Sequence, residues 1–590
     1  MSPSRDLCED AQELDFLITR MKDLLVEHMD HSRQPDSQLV DYKEPKELEQ
    51  LMDFVLPDHG IGSEAIFSMI KQTLQYSVNT FSPRFMDKLY AGSNPVGVLT
   101  ELLLAGLNGN SHVYHVSPVF TMMEIHVTRA LARLFGFTGE LAGGLSCPGG
   151  SASNQLAMVT ARNALYPEIK KRGYIPRLSH QQLREYNLPE DFNGSNSSYG
   201  KLIAFTSSAG HYSLEKSAVI MGLGTENIVG VPCDANGAMI PEELERLIVE
   251  HISMGHTPFF INVTAGTTVL GAFDPIRPCG EIAQKYNCWF HIDGSWGGCM
   301  VFVPELAKDL LDGSEMANSI TINPHKMLQT SLQCSLLLVQ DTSVFPQANA
   351  LNANYLFHGQ THDLGDGTLG CGRRSDAVKL FIGWKYYGRL GYQTRIQKSL
   401  SNVERFIELL HQDNYQNQRV QMLRLDTGNS LDEKKVRRHG TTGYKMPSLL
   451  QVCFWYRPKG SRLISWQGKE DRSTSLSAPA QSNAEASCTK LEDVEHGVVL
   501  ASEEERVEAK NWMNQVTKAV HSRIRARGKF MLDYAPLGPN LPLFFRIVLN
   551  PPTIRELDLI KLVQEILECG EAVGDTIPIP DCCQLIDAQQ

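Results

Sequence analysis

The feature that most constrains this sequence is a series of short apolar segments that alternate with helical segments between about residues 125 and 340. Five of these segments have the character of strands: 201–205, 259–263, 288–292, 319–322 and 335–339. Uninterrupted apolar strands separated by helices are typical of a mostly parallel sheet that is covered by helices on both faces. The predicted fold class is therefore α/β. Ligands in such folds bind beyond the carboxyl ends of the strands.

The remainder of the chain divides into an arm and a smaller domain. Residues 1–80 show helical periodicity and predict a helical N-terminal arm ahead of a large domain over 81–390. Residues 391–590 predict a smaller α+β domain. Polar and small residues dominate 461–503, which we interpret as a flexible surface loop.

Composition narrows the possible ligands. A net charge of −12 disfavours nucleic acid and anionic membranes as partners, so a small-molecule substrate is expected. The N-terminus is polar and no apolar run is long enough to span a bilayer, which predicts a cytoplasmic protein. The cysteines lack the paired spacing of zinc sites, and no metal is expected.

Two charged residues follow strands in positions that suit a carbonyl cofactor. Lys326, in the segment Asn323-Pro324-His325-Lys326, lies after a predicted strand, where partial desolvation lowers an amine pKa and makes it nucleophilic. Asp293 follows the strand before it, and a carboxylate there keeps a pyridine nitrogen protonated. Taken alone, Asp293 would be interpreted as a turn or cap residue before Gly294.

Two further elements precede them. His211 also follows a strand, where a flat imidazole can stack on a cofactor ring, although a lone histidine is more often a buried structural residue. The segment 147–154, with sequence CPGGSASN, precedes a helical run. Small residues that open a helix present free N–H groups to a phosphate. Without context, such a turn is usually a tight connection.

These elements occur in the order phosphate turn, histidine, aspartate, lysine, and in that order they resemble the group II pyridoxal-phosphate decarboxylases. The resemblance covers about residues 80 to 570. The segments Thr264 to Pro275 and Gly370 to Arg374 are similar to the glutamate-decarboxylase branch of that family. It implies a fold-type I pyridoxal-phosphate-dependent transferase architecture, pyridoxal 5'-phosphate as the cofactor, and a homodimer with the cofactor near the subunit boundary.

Carried over to this sequence, the resemblance implies three groups of site residues. Lys326 is the Schiff-base lysine, Asp293 the partner of the pyridine nitrogen, and His211 the stacking residue. Cofactor-binding positions around the phosphate and ring are Ala152, Ser153, Asn323, His325 and Thr264. Arg546 is the residue that binds the substrate carboxylate, a task suited to a bidentate guanidinium. Without the resemblance, Arg546 could pair at the surface.

The sequence departs from the family pattern at two cofactor positions. Ser295 stands where an alanine is usual beside the ring. His362 stands where many relatives have a loop tyrosine that returns a proton to the substrate carbon, so His362 becomes the candidate donor. If it cannot donate, the alternative is an aldehyde-forming or transaminating enzyme. A catalytically inactive homologue is the less favoured alternative.

A third departure concerns the substrate pocket, which the resemblance places around Lys88, Leu89 and Tyr90. Relatives carry an Asn-Gln pair at Asp87 and Lys88, and a cationic Lys88 favours an acidic substrate side chain. The predicted reaction is decarboxylation of an acidic L-amino acid, either aspartate to β-alanine or glutamate to 4-aminobutyrate. Sequence leaves aspartate, glutamate and cysteine sulfinate open as substrates.

Overall fold

A seven-stranded sheet forms the centre of the large domain. The fold comes from a computed structural model that describes residues 8–584, apart from 91, 93, 179, 186, 188–197, 235, 352, 354, 358–361, 418, 424–448, 463, 467–497 and 500–501. The strands of this sheet are β1 (Gly143–Cys147), β2 (Leu202–Ser207), β3 (Ile228–Val231), β4 (Thr257–Thr264), β5 (Trp289–Gly294), β6 (Ser319–Ile322) and β7 (Ser335–Val339).

The helices are α1 (Glu9–His31), α2 (Pro45–Leu51), α3 (Gly62–Tyr76), α4 (Pro95–Leu107), α5 (Pro118–Leu134), α6 (Gly150–Leu165), α7 (Pro167–Arg172), α8 (His180–Glu185), α9 (Ser213–Ile220), α10 (Pro241–Ser253), α11 (Ile276–Lys285), α12 (Pro304–Leu310), α13 (Val344–Asn349), α14 (Ala377–Asn417), α15 (Glu503–Arg527) and α16 (Glu556–Gly574). Short 3-10 helices lie at Tyr114–Val116, Thr225–Asn227, Gly297–Phe302, Ser314–Met316, Leu364–Gly367 and Asp581–Cys583. None of the helices in the described part of the chain is long and apolar enough to cross a membrane.

The sheet has the order β1-β7-β6-β5-β4-β2-β3. Strands β3, β2, β4, β5 and β6 are parallel, whereas β7 is antiparallel to both of its neighbours. Alternate residues of β2 face opposite layers: Ile203 joins a core cluster with Leu244 of α10, and Leu202 joins another with Leu156 of α6. The predicted α/β fold, with helices on both faces of a mostly parallel sheet, is confirmed.

All five predicted strands are present, but β1 and β3 were not predicted. Strand β1 has the sequence GGLSC and is buried throughout, so its apolar signal is weak although its position is central. A Cβ on Gly144 would lie 2.3 Å from the Leu337 carbonyl oxygen. Glycine is therefore required for the close approach of β1 to β7, and this composition hides the strand in the sequence.

The C-terminal part contains a four-stranded antiparallel sheet. Its strands are β8 (Val420–Met422), β9 (Gln451–Tyr456), β12 (Asp533–Ala535) and β13 (Phe544–Val548), and a separate parallel pair is formed by β10 (Ile464–Ser465) and β11 (Val498–Val499). The order is β12-β13-β9-β8. Most of the loop predicted at 461–503 lies outside the described residues.

The domain division stays a prediction. Helices α1 to α3 fall within the predicted arm, and the backbone of Leu39 is joined to Gly528 by an N–H···O bond of 2.7 Å. The boundary predicted at 390 falls within α14. That helix is broken at Gly388, where φ is 68°. A left-handed φ suits glycine, which lets the chain change direction close to the predicted boundary.

Candidate active site

The carboxyl ends of the parallel strands bring the predicted cofactor residues to one edge of the sheet. Cross-strand register pairs Thr264 at the end of β4 with Asp293 near the end of β5, and Asp293 with Thr321 of β6. Lys326 follows β6 by one turn, in which its backbone N–H donates to the Asn323 carbonyl over 3.0 Å. Residues that are remote in the sequence therefore meet where parallel-sheet proteins bind ligands.

Asp293 is buried and held in its ionised form. Oδ2 accepts a hydrogen bond from Nδ2 of Asn154 over 2.9 Å, and Oδ1 accepts the Ser295 backbone N–H over 3.0 Å. Burial acts to raise the pKa of Asp293, but these two hydrogen bonds and the nearby Lys326 amine outweigh it and keep the pKa below its usual value. A buried anion is thus available to a protonated ring nitrogen.

A hydrogen-bonded chain behind Asp293 was missed in the sequence. Both amide hydrogens of Asn154 are used, toward Asp293 and toward Ser213 Oγ at 2.9 Å. The 3.2 Å contact between Asn154 Oδ1 and Nε2 of His291 therefore requires the proton on Nε2, and Nδ1 then accepts from Ser319 Oγ at 2.8 Å. Burial lowers the pKa of His291 to about 4, so the ring is neutral.

A signal for His291 exists in the sequence. His291 and Asp293 are two residues apart on β5, so their side chains lie on the same face of the sheet. Asn154 lies within the predicted phosphate turn but has no sequence signal of its own, because its partners are supplied by other elements.

Lys326 lies at the base of the cleft and is partly exposed. Burial lowers the pKa of its amine below the ordinary value, although the Asp293 carboxylate acts in the opposite direction. Its backbone carbonyl accepts Nδ2 of Asn550 over 3.1 Å, and the same amide donates to the Leu89 carbonyl over 3.1 Å. Asn550 thereby ties the lysine to the segment predicted to form the substrate pocket.

His211 lies just ahead of α9 and within electrostatic reach of Asp293 and Lys326. Its Nδ1 accepts the Ser213 backbone N–H over 3.2 Å, so the neutral ring carries its proton on Nε2. Burial lowers the pKa of His211, with Asp293 opposing that shift and Lys326 adding to it. The flanking Tyr212 ring lies 4.4 Å from the imidazole, centroid to centroid.

The predicted phosphate turn opens α6. Gly149 has a φ of 97°, and a Cβ on Gly150 would lie 2.5 Å from Nδ2 of Asn323 and 2.8 Å from Oγ of Ser295. The absence of side chains there leaves room in front of the first turn of the helix, whose N–H groups have no acceptors within the helix. Ala152 in that turn is partly exposed to the same space.

Two predicted phosphate residues have their polar atoms partly committed elsewhere. The buried Ser153 hydroxyl lies 2.7 Å from Ser335 Oγ on β7. Nδ1 of His325 lies 2.6 Å from the Cys334 carbonyl, which fixes the ring, and burial lowers the pKa of His325 to about 4. Ser153 therefore joins α6 to the sheet with its hydroxyl, and Nε2 is the atom of His325 that remains for a ligand.

Unsatisfied polar atoms indicate that this cleft accepts a polar ligand. Among the residues that the structure describes, Thr264 Oγ1 and Asn323 Oδ1 are buried without a hydrogen-bond partner. Buried polar groups without partners are uncommon in native proteins. Together with the ionised Asp293, the Lys326 amine and the Gly150 turn, they fit pyridoxal 5'-phosphate.

Arg546 on β13 is buried and already hydrogen-bonded. Nη2 donates to Oδ2 of Asp533 over 2.7 Å and to the Asp87 carbonyl over 3.2 Å, and Nη1 donates to the Thr268 carbonyl over 3.1 Å. The segment that follows Thr264 therefore reaches the predicted carboxylate-binding arginine. Asp533, its cross-strand partner, was not singled out in the sequence.

Two neighbouring carboxylates compensate the positive charge of Lys88, which the sequence alone does not indicate. Its Nζ lies 2.9 Å from Oδ1 of Asp87 and 2.9 Å from Oδ2 of Asp533. Burial acts to lower the pKa of Lys88, but these two carboxylates raise it, so the amine is charged and its charge is compensated. Leu89 is buried and Tyr90 is half-buried, with the Tyr90 ring 5.2 Å from Phe85.

His362 lies on an exposed stretch beside Tyr114, with ring centroids 5.6 Å apart. The next residue, Asp363, accepts the Tyr114 backbone N–H over 2.8 Å and fixes this end of the loop. Residues 358–361, immediately before it, lie outside the described chain. The predicted role of His362 as proton donor stays a prediction.

The segment 370–374 has a structural role. Arg373 is buried and pairs with Glu124, and its Nη1 donates to the Ser111 carbonyl over 2.8 Å. Glu124 also accepts the backbone N–H of Ser146 over 2.8 Å. This network fixes β1, and with it the start of the phosphate turn.

This chain matches a family model and is similar to several known proteins. Residues 45–421 match the model of the pyridoxal-dependent decarboxylase conserved domain. The chain is 34% identical to an L-aspartate decarboxylase of Metarhizium robertsii, covering 98% of this chain and 100% of that protein. It is 32% identical to a cysteine sulfinic acid decarboxylase of Mus musculus, covering 90% and 91% of the two chains. The crystal structure of mouse CSAD superposes with a TM-score of 0.76 at 29% identity, covering 95% of this chain and 99% of that one.

Proposed function

Since this chain belongs to the pyridoxal-dependent decarboxylase family, we propose that it removes the α-carboxyl group of an acidic L-amino acid. The products would be β-alanine from aspartate or 4-aminobutyrate from glutamate. The observation that carries the proposal is the buried, ionised Asp293 beside the Lys326 amine at the ends of neighbouring parallel strands. Relatives named as aspartate and cysteine sulfinic acid decarboxylases support an acidic substrate.

Each cofactor-binding residue would have a separate role. When bound, pyridoxal 5'-phosphate supplies a protonated pyridine ring that accepts the electron pair left by departing carbon dioxide. Asp293 would hold a proton on the ring nitrogen, because its pKa is kept low. Lys326, whose pKa is lowered by burial, would be the amine that condenses with the cofactor aldehyde. His211 would stack on the ring, and the unpaired hydroxyl of Thr264 would hydrogen-bond to the cofactor.

Arg546 on β13 and residues 88–90 would orient the substrate. Arg546 would bind the substrate carboxylate and thereby orient the bond to be broken. Leu89 and Tyr90 would line the pocket, and Lys88 would set its charge together with Asp87. A proton must then reach the substrate α-carbon, and His362 or Lys326 would supply it.

The test combines a spectrum with product analysis. Lys326→Ala should abolish the absorption band of the bound cofactor and reduce carbon dioxide release from aspartate, glutamate or cysteine sulfinate by a factor of about a thousand or more. Lys385→Ala, at an exposed position of α14, is the matched control and should behave as the parent enzyme. Full turnover by Lys326→Ala, or activity confined to neutral amino acids, would contradict the proposal.

We also infer a homodimer. Helix α4 leaves Leu99 and Leu107 about three-fifths exposed, with Leu102 and Leu103 also exposed, an apolar face that is costly in water. This helix lies against the loop after Lys326, because Ser331 Oγ donates to Glu101 over 2.9 Å. Leu103→Glu should convert the dimer to monomers in analytical ultracentrifugation. Leu557→Glu, an equivalent change on α16, should not.

A further inference from the structure

The hydrogen bonds of Arg546 leave it unable to bind a carboxylate through two N–H groups without rearrangement. Nη2 uses both of its hydrogens, toward Asp533 and the Asp87 carbonyl. Within the described part of the chain, Nε is buried and has no acceptor. A guanidinium grips a carboxylate through neighbouring N–H groups, and Nη2 belongs to both the Nε/Nη2 and the Nη1/Nη2 edges. A bidentate ligand must therefore replace one of the Nη2 acceptors.

Asp533 is the acceptor that can leave. The Asp87 carbonyl belongs to a backbone segment that is fixed at Met86, whose N–H donates to Met531 over 3.1 Å and whose carbonyl accepts the Val548 N–H over 2.9 Å. Asp533 contributes a side chain that is 24% exposed, and its other oxygen, Oδ1, accepts the Tyr534 backbone N–H over 2.9 Å, so its contact with Arg546 can be lost while two other contacts remain.

Lys88 provides a second place for the Asp533 carboxylate. Its Nζ already contacts the same Oδ2 atom at 2.9 Å, and the lysine side chain is 51% exposed. If the Asp533 side chain rotates slightly, its carboxylate can lose the ion pair with Arg546 and keep the ion pair with Lys88. The charges of the four side chains cancel in the resting state, with two cations and two anions.

On the proposed role of Arg546, we propose that Asp533 occupies the carboxylate site of Arg546 in the substrate-free enzyme, and that the substrate carboxylate takes its place while Lys88 retains Asp533. Asp533 is then a residue that sets the affinity of Arg546 for the substrate carboxylate. A ligand without a carboxylate has no charge with which to replace it, whereas an acid exchanges one anion for another at Arg546.

The test uses succinate as a probe of carboxylate affinity in the cofactor-loaded enzyme. Asp533→Asn keeps the shape of the side chain but removes the charge that competes for Arg546. Its inhibition constant for succinate should fall about tenfold, and the KM of the acidic substrate should fall while kcat changes much less. Asp533→Ser, which removes the carboxylate altogether, should act in the same direction and guards against a folding defect in one variant.

Asp87→Asn is the charge-matched control. Its carboxylate lies at the same 2.9 Å from Lys88, but it contacts Arg546 through its backbone carbonyl. Removing this charge changes only the electrostatic field at Arg546, so the inhibition constant should fall much less than in Asp533→Asn. An equal gain in both variants would mean a general field effect, and weaker binding by Asp533→Asn would mean that Asp533 holds Arg546 in place. Either result overturns the exchange.

Arg546→Gln separates this inference from the function on which it rests. If Arg546→Gln leaves the succinate constant unchanged, Arg546 does not bind carboxylates and the proposed substrate role fails. If Arg546→Gln weakens succinate binding but Asp533→Asn does not tighten it, the substrate role stands and the exchange is wrong.

Discussion

Asn154 donates a hydrogen bond from Nδ2 to Oδ2 of Asp293 over 2.9 Å, across 139 positions of the chain. Asn154 lies in the first turns of α6, at the end of the phosphate turn, and Asp293 lies near the end of β5. The bond therefore fixes the distance between the two ends of the cofactor cleft. The neutral His291 on the other side of the amide prevents Asn154 from rotating away.

Replacing Asn154 by leucine removes this donor and keeps a side chain branched at the same atom. We expect the affinity for pyridoxal 5'-phosphate to fall about tenfold or more, since a hydrogen bond to a charged group contributes about 1.5–3 kcal/mol. Absorbance titration of the cofactor-free protein measures it. Asn163→Leu is the control, because Asn163 lies on the same helix and donates to the Ala348 carbonyl over 3.1 Å. If both variants lose affinity equally, Asn154 acts only through packing.

The stability of the cofactor-free protein should depend on two buried histidines. Burial lowers the pKa of His291 and His325 to about 4, whereas both titrate near 6.5 in the unfolded chain. The unfolded state therefore binds more protons between these values. The free energy of unfolding should decrease as the pH falls from about 6.5 toward 4, by up to about 1.4 kcal/mol per pH unit for each histidine.

Urea denaturation between pH 5 and 8 follows this dependence. His325→Gln removes one titrating group and should give a shallower slope than the parent protein. A slope that neither His325→Gln nor His291→Gln alters would show that other groups cause the acid sensitivity.

Lys88→Gln leaves Asp87 and Asp533 without the cation that they share. The pocket becomes more negative and Asp533 is held by Arg546 alone, so the KM of the acidic substrate should rise about three- to tenfold. The increase should shrink in 0.5 M salt, because half-exposed charges are screened. Lys88→Arg should retain most of the parent affinity, and an unchanged KM in Lys88→Gln would rule out this electrostatic role.

His362→Ala tests the return of the proton. We expect the parent enzyme to release amine and carbon dioxide in equal amounts, and the variant to form less amine with more ammonia and hydrogen peroxide. His115→Ala, an exposed histidine next to Tyr114, is the control. Stoichiometric ammonia and peroxide from the parent enzyme would instead identify an aldehyde-forming reaction.

Arg373→Met should be severely destabilising. It leaves the buried Glu124 carboxylate without its cation, a change that costs about 3–5 kcal/mol of unfolding free energy. Arg246→Met breaks an exposed pair with Glu250 at 2.9 Å and should cost less than about 1 kcal/mol. Chemical denaturation of both variants gives the comparison, and similar losses would contradict a special role for the buried pair.

Local signals in the sequence predicted five of the seven strands of the large sheet and much of the cofactor cleft. Apolar strands followed by polar residues predict where Asp293 and Lys326 lie, because parallel strands end at one edge. Strand β1 escaped prediction because close packing against β7 requires glycine, which carries no strand signal. Asn154 escaped because its partners, Asp293, Ser213 and His291, lie on other elements of the fold.

The sequence by itself determined the α/β fold, the order of the cofactor residues and the presence of Arg546 and Lys88. The tertiary structure decided how far neighbouring carboxylates compensate the positive charges of Arg546 and Lys88. Hydrogen bonds and charge compensation depend on separations of a few ångströms, which only the folded chain sets. Pairing of β12 with β13 brings Asp533 beside Arg546. Folding also brings Asp533 beside Lys88, which lies 445 positions away in the chain. The linear pattern therefore predicts a carboxylate-binding arginine, and folding supplies the carboxylate that competes for it.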